Sequence, residues 1–442
     1  MKHKKVKLFI PILISTLISV CVIFGGLFFL LKNQASKADI FCEKPHENFW
    51  KIQSIDTMKQ SRDLAREKLF DESFDKEIDE QVLNISKVGA THIAIATPYD
   101  KEFLPFLKRW IKSARKNNLN VWFRGNWSGW EGWFGYSKKL TRKKHIEKTV
   151  SFIINNPDLF RDGDVFSPCP ECENGYIGDP RQTKRVNEFR KFVIDEYNAS
   201  KKAFSKINKN VIISFPFNGD VAKLVMDKKT TDALGGYVTI DHYVKSTDKT
   251  VLDIRNLAKK SGGNIILGEF GAPIPGIHGG FSEKEQAKWV GDLMQKLSQT
   301  KGLSGVNYWV NIGGSTSIWN KNGTDRKAVS ILKNAFNPYV VYGQVVDEFG
   351  RPVKNAKIVF QNKNVNSDET GCFATKFISD NDVEIFGSVF ANGFQEKNLI
   401  LSEKITQKNI KLIKKDKDWK FIFKLWLKNK INNHIGLFLL NF

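Results

Sequence analysis

The sequence predicts an α/β protein: a (β/α)8 TIM barrel, preceded by an N-terminal transmembrane helix and followed by a small all-β sandwich. Three observations carry this. Between residues 49 and 336, short apolar runs alternate with amphipathic helical stretches. Unalternating runs are what strands buried on both faces look like, and strands alternating with helices imply a parallel sheet. Ahead of this region a long uncharged run follows a cluster of lysines. Behind Pro338 the pattern changes to period-2 alternation between turn signals, as in a sandwich.

Residues 1–7 carry Lys2, Lys4, Lys5 and Lys7, and residues 8–31 hold no charge. As a helix that run is about 36 Å long, enough to cross a bilayer with tilt. Lysines on its N-terminal side predict a cytoplasmic N-terminus and an exported body. Cleaved signal peptides have shorter apolar cores, so an uncleaved signal anchor is favoured over cleavage near Ala38. Residues 32–48 form a polar linker. The barrel is expected over 49–338. Its strands are placed near 51–55, 91–96, 120–124, 164–166, 210–215, 236–240, 264–267 and 305–309. Helices are expected at 103–117, 142–155, 186–206, 221–233 and 284–299. A doubly wound open sheet is the alternative, but no glycine-rich phosphate loop follows the first strand. The sandwich is expected over 339–413. The tail, 414–442, sets Trp419, Ile422, Phe423 and Trp426 on one helical face and Lys417, Lys420, Lys424 and Lys428 on another. Such a basic amphipathic helix lies on an anionic membrane through 414–430, or packs on the sandwich.

The net charge of +22 raises the question of nucleic acid. Lysines are spread along the chain among acidic residues, with no zinc-finger spacing, so nucleic acid is set aside as a partner. Five cysteines are too few for a disulfide scaffold. Cys42 and Cys372 are read as isolated. Cys169 and Cys172 form a CxxC with no second ligand pair, so no metal is expected. A structural role for them, as a disulfide beside the site, fits better.

A barrel builds its site at the C-terminal ends of its strands. Those ends are polar and aromatic here. After strand three come Arg124, Asn126, Trp127, Trp130 and Trp133. After strand four come Cys169, Glu171, Cys172, Glu173 and Asn174. Asp241, His242 and Tyr243 end strand six, Glu269 ends strand seven, and Trp309 and Asn311 end strand eight. Two carboxylates facing one another suit glycosidic cleavage, in which one protonates the leaving oxygen and the other meets the anomeric carbon. The tryptophans would offer flat faces to a sugar, and Asn126, Asn174 and His242 would bond its hydroxyls.

Over residues 50–336 this layout resembles clan A of the glycoside hydrolases, the barrel enzymes related to cellulases and mannanases. The resemblance rests on Gly268-Glu269-Phe270-Gly271, His242-Tyr243 and Trp309. It implies that Glu269 is the nucleophile, Tyr243 its hydrogen-bond partner, Trp309 a sugar platform, and a Glu after strand four the acid/base. The clan has Asn before that Glu; here Pro170 precedes Glu171 and Cys172 precedes Glu173. Glu171 is preferred as nearer the strand end, with Glu173 the alternative. Residues 342–413 resemble the carboxypeptidase regulatory-like sandwich through 343–347, 350–353 and 368–373, which implies a spacer without catalysis. The expected activity is a membrane-tethered, extracytoplasmic retaining hydrolase of a polysaccharide, needing no cofactor. A catalytically inactive sugar-binding barrel and a thiol-dependent surface protein are the competing functions.

Overall fold

A computed structural model describes residues 42–415, apart from 177, 362 and 380–383. The expected membrane span and all of the tail beyond 415 lie outside the described residues. Among those described, no helix is long and apolar enough to cross a membrane.

Nine parallel strands form one sheet: β1 (Ile52–Asp56), β2 (His92–Ile95), β3 (Asn120–Phe123), β4 (Val165–Phe166), β5 (Ile212–Ile213), β6 (Pro216–Asn218), β7 (Tyr237–Asp241), β8 (Asn264–Phe270) and β9 (Leu303–Tyr308). Their order, β5-β4-β3-β2-β1-β9-β8-β7-β6, begins and ends on two halves of one strand. The sheet therefore closes through the chain into an eight-stranded (β/α)8 barrel. The expected strands six, seven and eight are β7, β8 and β9.

The fifth strand is split because Pro216 has no N–H to give to a ladder. β5 pairs with β4 and β6 with β7. In place of backbone bonds, the Ser214 and Thr239 hydroxyls meet across the seam at 2.7 Å. Tyr237 and Val238 have ladder partners only on β8.

The helices form as their apolar spacing dictates. The helix Leu104–Lys116 buries Phe106, Leu107, Trp110, Ile111 and Ala114, a stripe of period 3.6 facing the sheet. Each large side chain so buried contributes about 1.5–3 kcal/mol. The helix Glu283–Leu297 begins in a capping box between Ser282 and Glu285, which satisfies two orphan N–H groups. The helix expected over 221–233 divides into Gly219–Val225 and Lys228–Ala233. Asp227 causes the division: its carboxylate accepts from Thr230 N at 2.8 Å and starts a new helix. Inside the barrel floor, Ile52, Ala94, Trp122, Val165 and Ile266 form a buried layer. The opposite end is the mouth.

Residues 339–411 make two further sheets. In one, β10 (Tyr339–Val346) pairs with β13 (Cys372–Phe377) and β16 (Ile405–Lys411). In the other, β11 (Lys357–Phe360) pairs with β12 (Lys363–Asn366) and β14 (Ile385–Phe390), which also pairs with β15 (Lys397–Leu401). Val341, Phe377, Phe360, Val389 and Leu401 belong to one core drawn from both sheets.

Cys42 and Cys372 are bonded to each other, 330 residues apart in sequence. This corrects their reading as isolated; spacing carries no signal for a pair so distant. Lys376 Nζ also donates to Asn48 O at 2.6 Å. A cross-link this long constrains the unfolded chain strongly. The double variant Cys42→Ser/Cys372→Ser is expected to lose about 2–5 kcal/mol, read as an earlier denaturation midpoint. An unchanged midpoint would show that the link adds no stability.

Candidate active site

Arg124, directly after β3, is buried at the centre of the mouth. Its guanidinium donates to Gly268 O at 2.8 Å, to Asp241 Oδ2 at 3.1 Å and to Glu269 Oε1 at 2.6 Å. Its Nε lies 3.2 Å from Asp56 Oδ2. Glu269 is held on its other oxygen too, since Tyr243 Oη donates to Oε2 at 2.9 Å. Four strands thus deliver one cation and three carboxyls to one dry cluster: β1 gives Asp56, β3 Arg124, β7 Asp241 and β8 Glu269. Gly268 is required at its place. A Cβ there would stand 2.5 Å from Asp241 Oδ1 and 3.2 Å from an Arg124 nitrogen.

Three carboxylates cannot all be ionised against one guanidinium in so buried a place. Burial, then the charge of Asp241, pushes the Glu269 carboxyl well up, while Arg124 pulls it back. Burial raises Asp56 as well. Burial also raises Asp241, to about 7. Asp241 Oδ1 has no hydrogen-bond partner among the described residues, whereas Glu269 accepts from both Arg124 and a phenol, one on each oxygen.

Across the mouth, the loop after β4 carries the other carboxyls. The Cys169–Cys172 disulfide closes a short ring in it. Between the two, Glu171 adopts a left-handed backbone with φ 44°, uncommon for a residue with a side chain. Its N–H donates to Pro216 O at 2.8 Å. Asn218 Nδ2 donates to Glu171 Oε1 at 3.1 Å, and Asn174 Nδ2 to Glu171 Oε2 at 3.0 Å. The charge of Glu171 is among the causes raising both Glu269 and Asp241. Glu173 turns inward instead. It is buried, and its Oε1 accepts from Asn218 N at 2.8 Å and Nδ2 at 3.0 Å. Burial lifts it to about 7.

Several expected substrate contacts lie elsewhere. Trp127 and Trp130 are core residues: Trp127 Nε1 donates to Thr149 Oγ1 at 3.1 Å, and Trp130 stacks on Phe192 at 5.4 Å. Neither offers a face to a sugar, and Trp130 instead props the acid loop by donating to Cys172 O at 3.3 Å. Asn311 is buried and donates to Gln81 at 2.7 Å. His242 Nε2 meets Asp253 Oδ2 at 3.0 Å, and burial lowers its pKa; it braces a helix. Asn126 is buried, its Oδ1 accepting from Trp127 N and facing His145 Nε2. Arg124 and Asp241 serve the buried cluster. Asn174 is exposed at the mouth. Trp309 is half-buried with its ring edge-on to Tyr243 at 6.1 Å, and Trp133 lies half-buried with the Arg62 guanidinium 4.9 Å from its ring centre.

Sequence reasoning gave no role to four residues. Asp56 ends β1 in the same way that Glu269 closes on β8, and was discoverable by that rule. Asn307 of β9 donates to Asp56 at 3.2 Å and Gly268 O at 2.8 Å. Asn218 ties the two loop glutamates together. Glu131 accepts from Asn126 Nδ2 at 3.1 Å; burial, then the Glu171 charge, raises it to about 8. No sequence signal marks Glu131, which follows the tryptophans in a short helix.

No family model matches the chain, and no curated protein matches it in sequence. Solved structures do align with it. One is a Bacteroides uniformis β-glucuronidase 2 covalently bound to cyclophellitol-6-carboxylate aziridine, at 11% identity and TM-score 0.47, over 81% of this chain and 46% of that one. Another is a GH5_18 variant from Streptomyces cattleya in complex with Manβ1-4GlcNAc, at 11% identity and TM-score 0.49, over 67% and 84%. A third is xylanase 10B of Thermotoga maritima, at 11% and 0.42, over 58% and 89%. The chain spans about half the length of the β-glucuronidases it aligns with first. All three scores fall below 0.5, too low to carry a function across.

Proposed function

We propose that the protein is a retaining glycoside hydrolase of a polysaccharide, with Glu269 as nucleophile and Glu171 as acid/base. The observation that carries this is the clamp on Glu269. Arg124 holds one oxygen and Tyr243 the other, so the carboxylate is fixed for attack, and the charge of Glu171 on the loop after β4 acts on it. In the first step a Glu269 oxygen bonds to the anomeric carbon while the glycosidic C–O bond breaks. The leaving oxygen takes the proton of Glu171. In the second step the Glu171 carboxylate takes a proton from water. The water oxygen displaces Glu269, and the anomeric configuration is retained. Trp309, beside Tyr243, is the sugar platform, and Asn174 offers its amide to hydroxyls. Residues 8–31 tether the enzyme with the barrel outside the cytoplasm. The two-sheet module, akin to the carboxypeptidase regulatory-like spacer, stands behind it.

The test is sugar release across a panel of polysaccharides, with product configuration followed by proton NMR. A leaving group that needs no proton then separates the glutamates. Glu171→Gln should lose about 100-fold or more in kcat/KM on a natural linkage yet keep most of its kcat/KM, which reports the first step, on a dinitrophenyl glycoside. Glu173→Gln should show no such split. If the split follows Glu173, the acid role moves there.

One observation favours a second reading, a sugar-binding barrel without turnover. Both Glu171 oxygens accept amide hydrogen bonds from neighbouring asparagines, which engages them within the protein. Saturable oligosaccharide binding with no release on any panel member would decide for it.

A further inference from the structure

The barrel floor, opposite the mouth, has a site that hydrolysis does not use. Because Pro216 splits the fifth strand, no ladder joins β5 to the first residues of β7, and the seam stays open at its lower end. A cavity of about 330 Å3 occupies that gap. Tyr197 and Lys201 line it from one face of the helix Val186–Lys206. Lys209 and Asn210 line it from the loop before β5, Lys51 from the residue before β1, and Tyr237 from the start of β7.

No aspartate or glutamate lines this cavity. The Asp162 carboxylate stands beside the lining, accepting from Asn210 N at 2.7 Å, and Asp164 pairs with Arg115. Among the described residues, none of Lys51, Lys201 and Lys209 has an ion-pair partner; Lys201 Nζ stands 5.8 Å from the Tyr197 ring centre. Three unneutralised ammonium groups around one concavity repel one another and raise the local concentration of anions. A compact oxyanion with several acceptor oxygens relieves that repulsion, and lysine meets it as a point charge.

We infer that this floor cavity binds a phosphate-type oxyanion through Lys51, Lys201 and Lys209. A free phosphate and a phospholipid headgroup share that chemistry. The site does not depend on the hydrolase reading, and the test keeps the two apart.

The full-length chain is titrated calorimetrically with inorganic phosphate and, separately, with glycerophosphoglycerol, the diester headgroup of phosphatidylglycerol. Sodium chloride at matched ionic strength gives the baseline. Saturable binding of one probe per chain is expected, and Lys51→Gln/Lys201→Gln/Lys209→Gln should weaken it at least about tenfold. Circular dichroism checks the fold of that variant. Glu269→Gln should bind as the parent does, which separates this site from the mouth. Binding of the diester as tight as phosphate assigns a lipid headgroup; binding of phosphate alone assigns the free anion. No saturable binding of either probe by the parent, or equal binding by the folded triple variant, overturns the inference.

Discussion

Glu269→Gln is expected to lower kcat/KM by at least about 10^4-fold while leaving the protein as stable as its parent, or more so at high pH. The rate loss follows from chemistry. An amide cannot form the glycosyl ester, although it can still occupy the clamp between Arg124 and Tyr243. The stability gain follows from linkage. Burial and the neighbouring Asp241 raise the Glu269 carboxyl well above its unfolded value. A group so raised favours the fold below its unfolded pKa, and that contribution is lost as pH rises through the folded pKa. Removing the carboxyl removes the loss, so the variant's advantage should grow from mildly acidic to mildly alkaline conditions. Thermal midpoints across that range, measured beside the kinetics, check both halves. A residual rate within about tenfold of the parent on a natural substrate would remove Glu269 from the nucleophile role. A variant advantage that does not grow with rising pH would show that the buried charge is not what limits stability.

Part of this site was legible because the fold made it so. Barrel strands buried on both faces read as bare apolar runs, and a carboxylate just past such a run stands at the mouth by geometry alone. Glu269 could be placed at the mouth on that ground; its pairing with Tyr243 was implied by the resemblance to clan A, and their hydroxyl–carboxylate contact is 2.9 Å. The tryptophans were misplaced for a physical reason. Trp127 and Trp130 sit between glycines on a short helix, which looked like an exposed platform. Yet Gly175 lets the chain pass against Trp130, where a Cβ would lie 1.9 Å from its indole nitrogen. Close packing of that kind is a long-range fact that no local pattern holds. Arg124 was read as a substrate contact because a cation after a strand resembles one. Its true neighbours, Asp56, Asp241 and Glu269, lie up to 145 residues away in sequence. The Cys42–Cys372 bond and the break in the fifth strand were hidden in the same way.

Arg124→Gln should cost about 3–5 kcal/mol of stability, the usual penalty for stripping a buried charge of its partner. The variant leaves Asp56, Asp241 and Glu269 together with no counter-charge, and it breaks the bond to Gly268 O as well. The sign of its pH dependence separates charge from packing. In the parent, burial already raises Asp241 to about 7. Arg124 pulls against that rise, so without it all three carboxyls move higher still. Each then favours the fold only while protonated, and the penalty should be greatest near and above pH 7 and shrink toward about pH 5. Denaturation midpoints at the two ends of that window measure it. A loss of equal size at both ends would mean that Arg124 acts as a packing element, bridging strands through the Gly268 carbonyl. A loss that fades with acid would mean that it is the counter-ion that lets Glu269 stay ionised, which is the state the proposed chemistry needs.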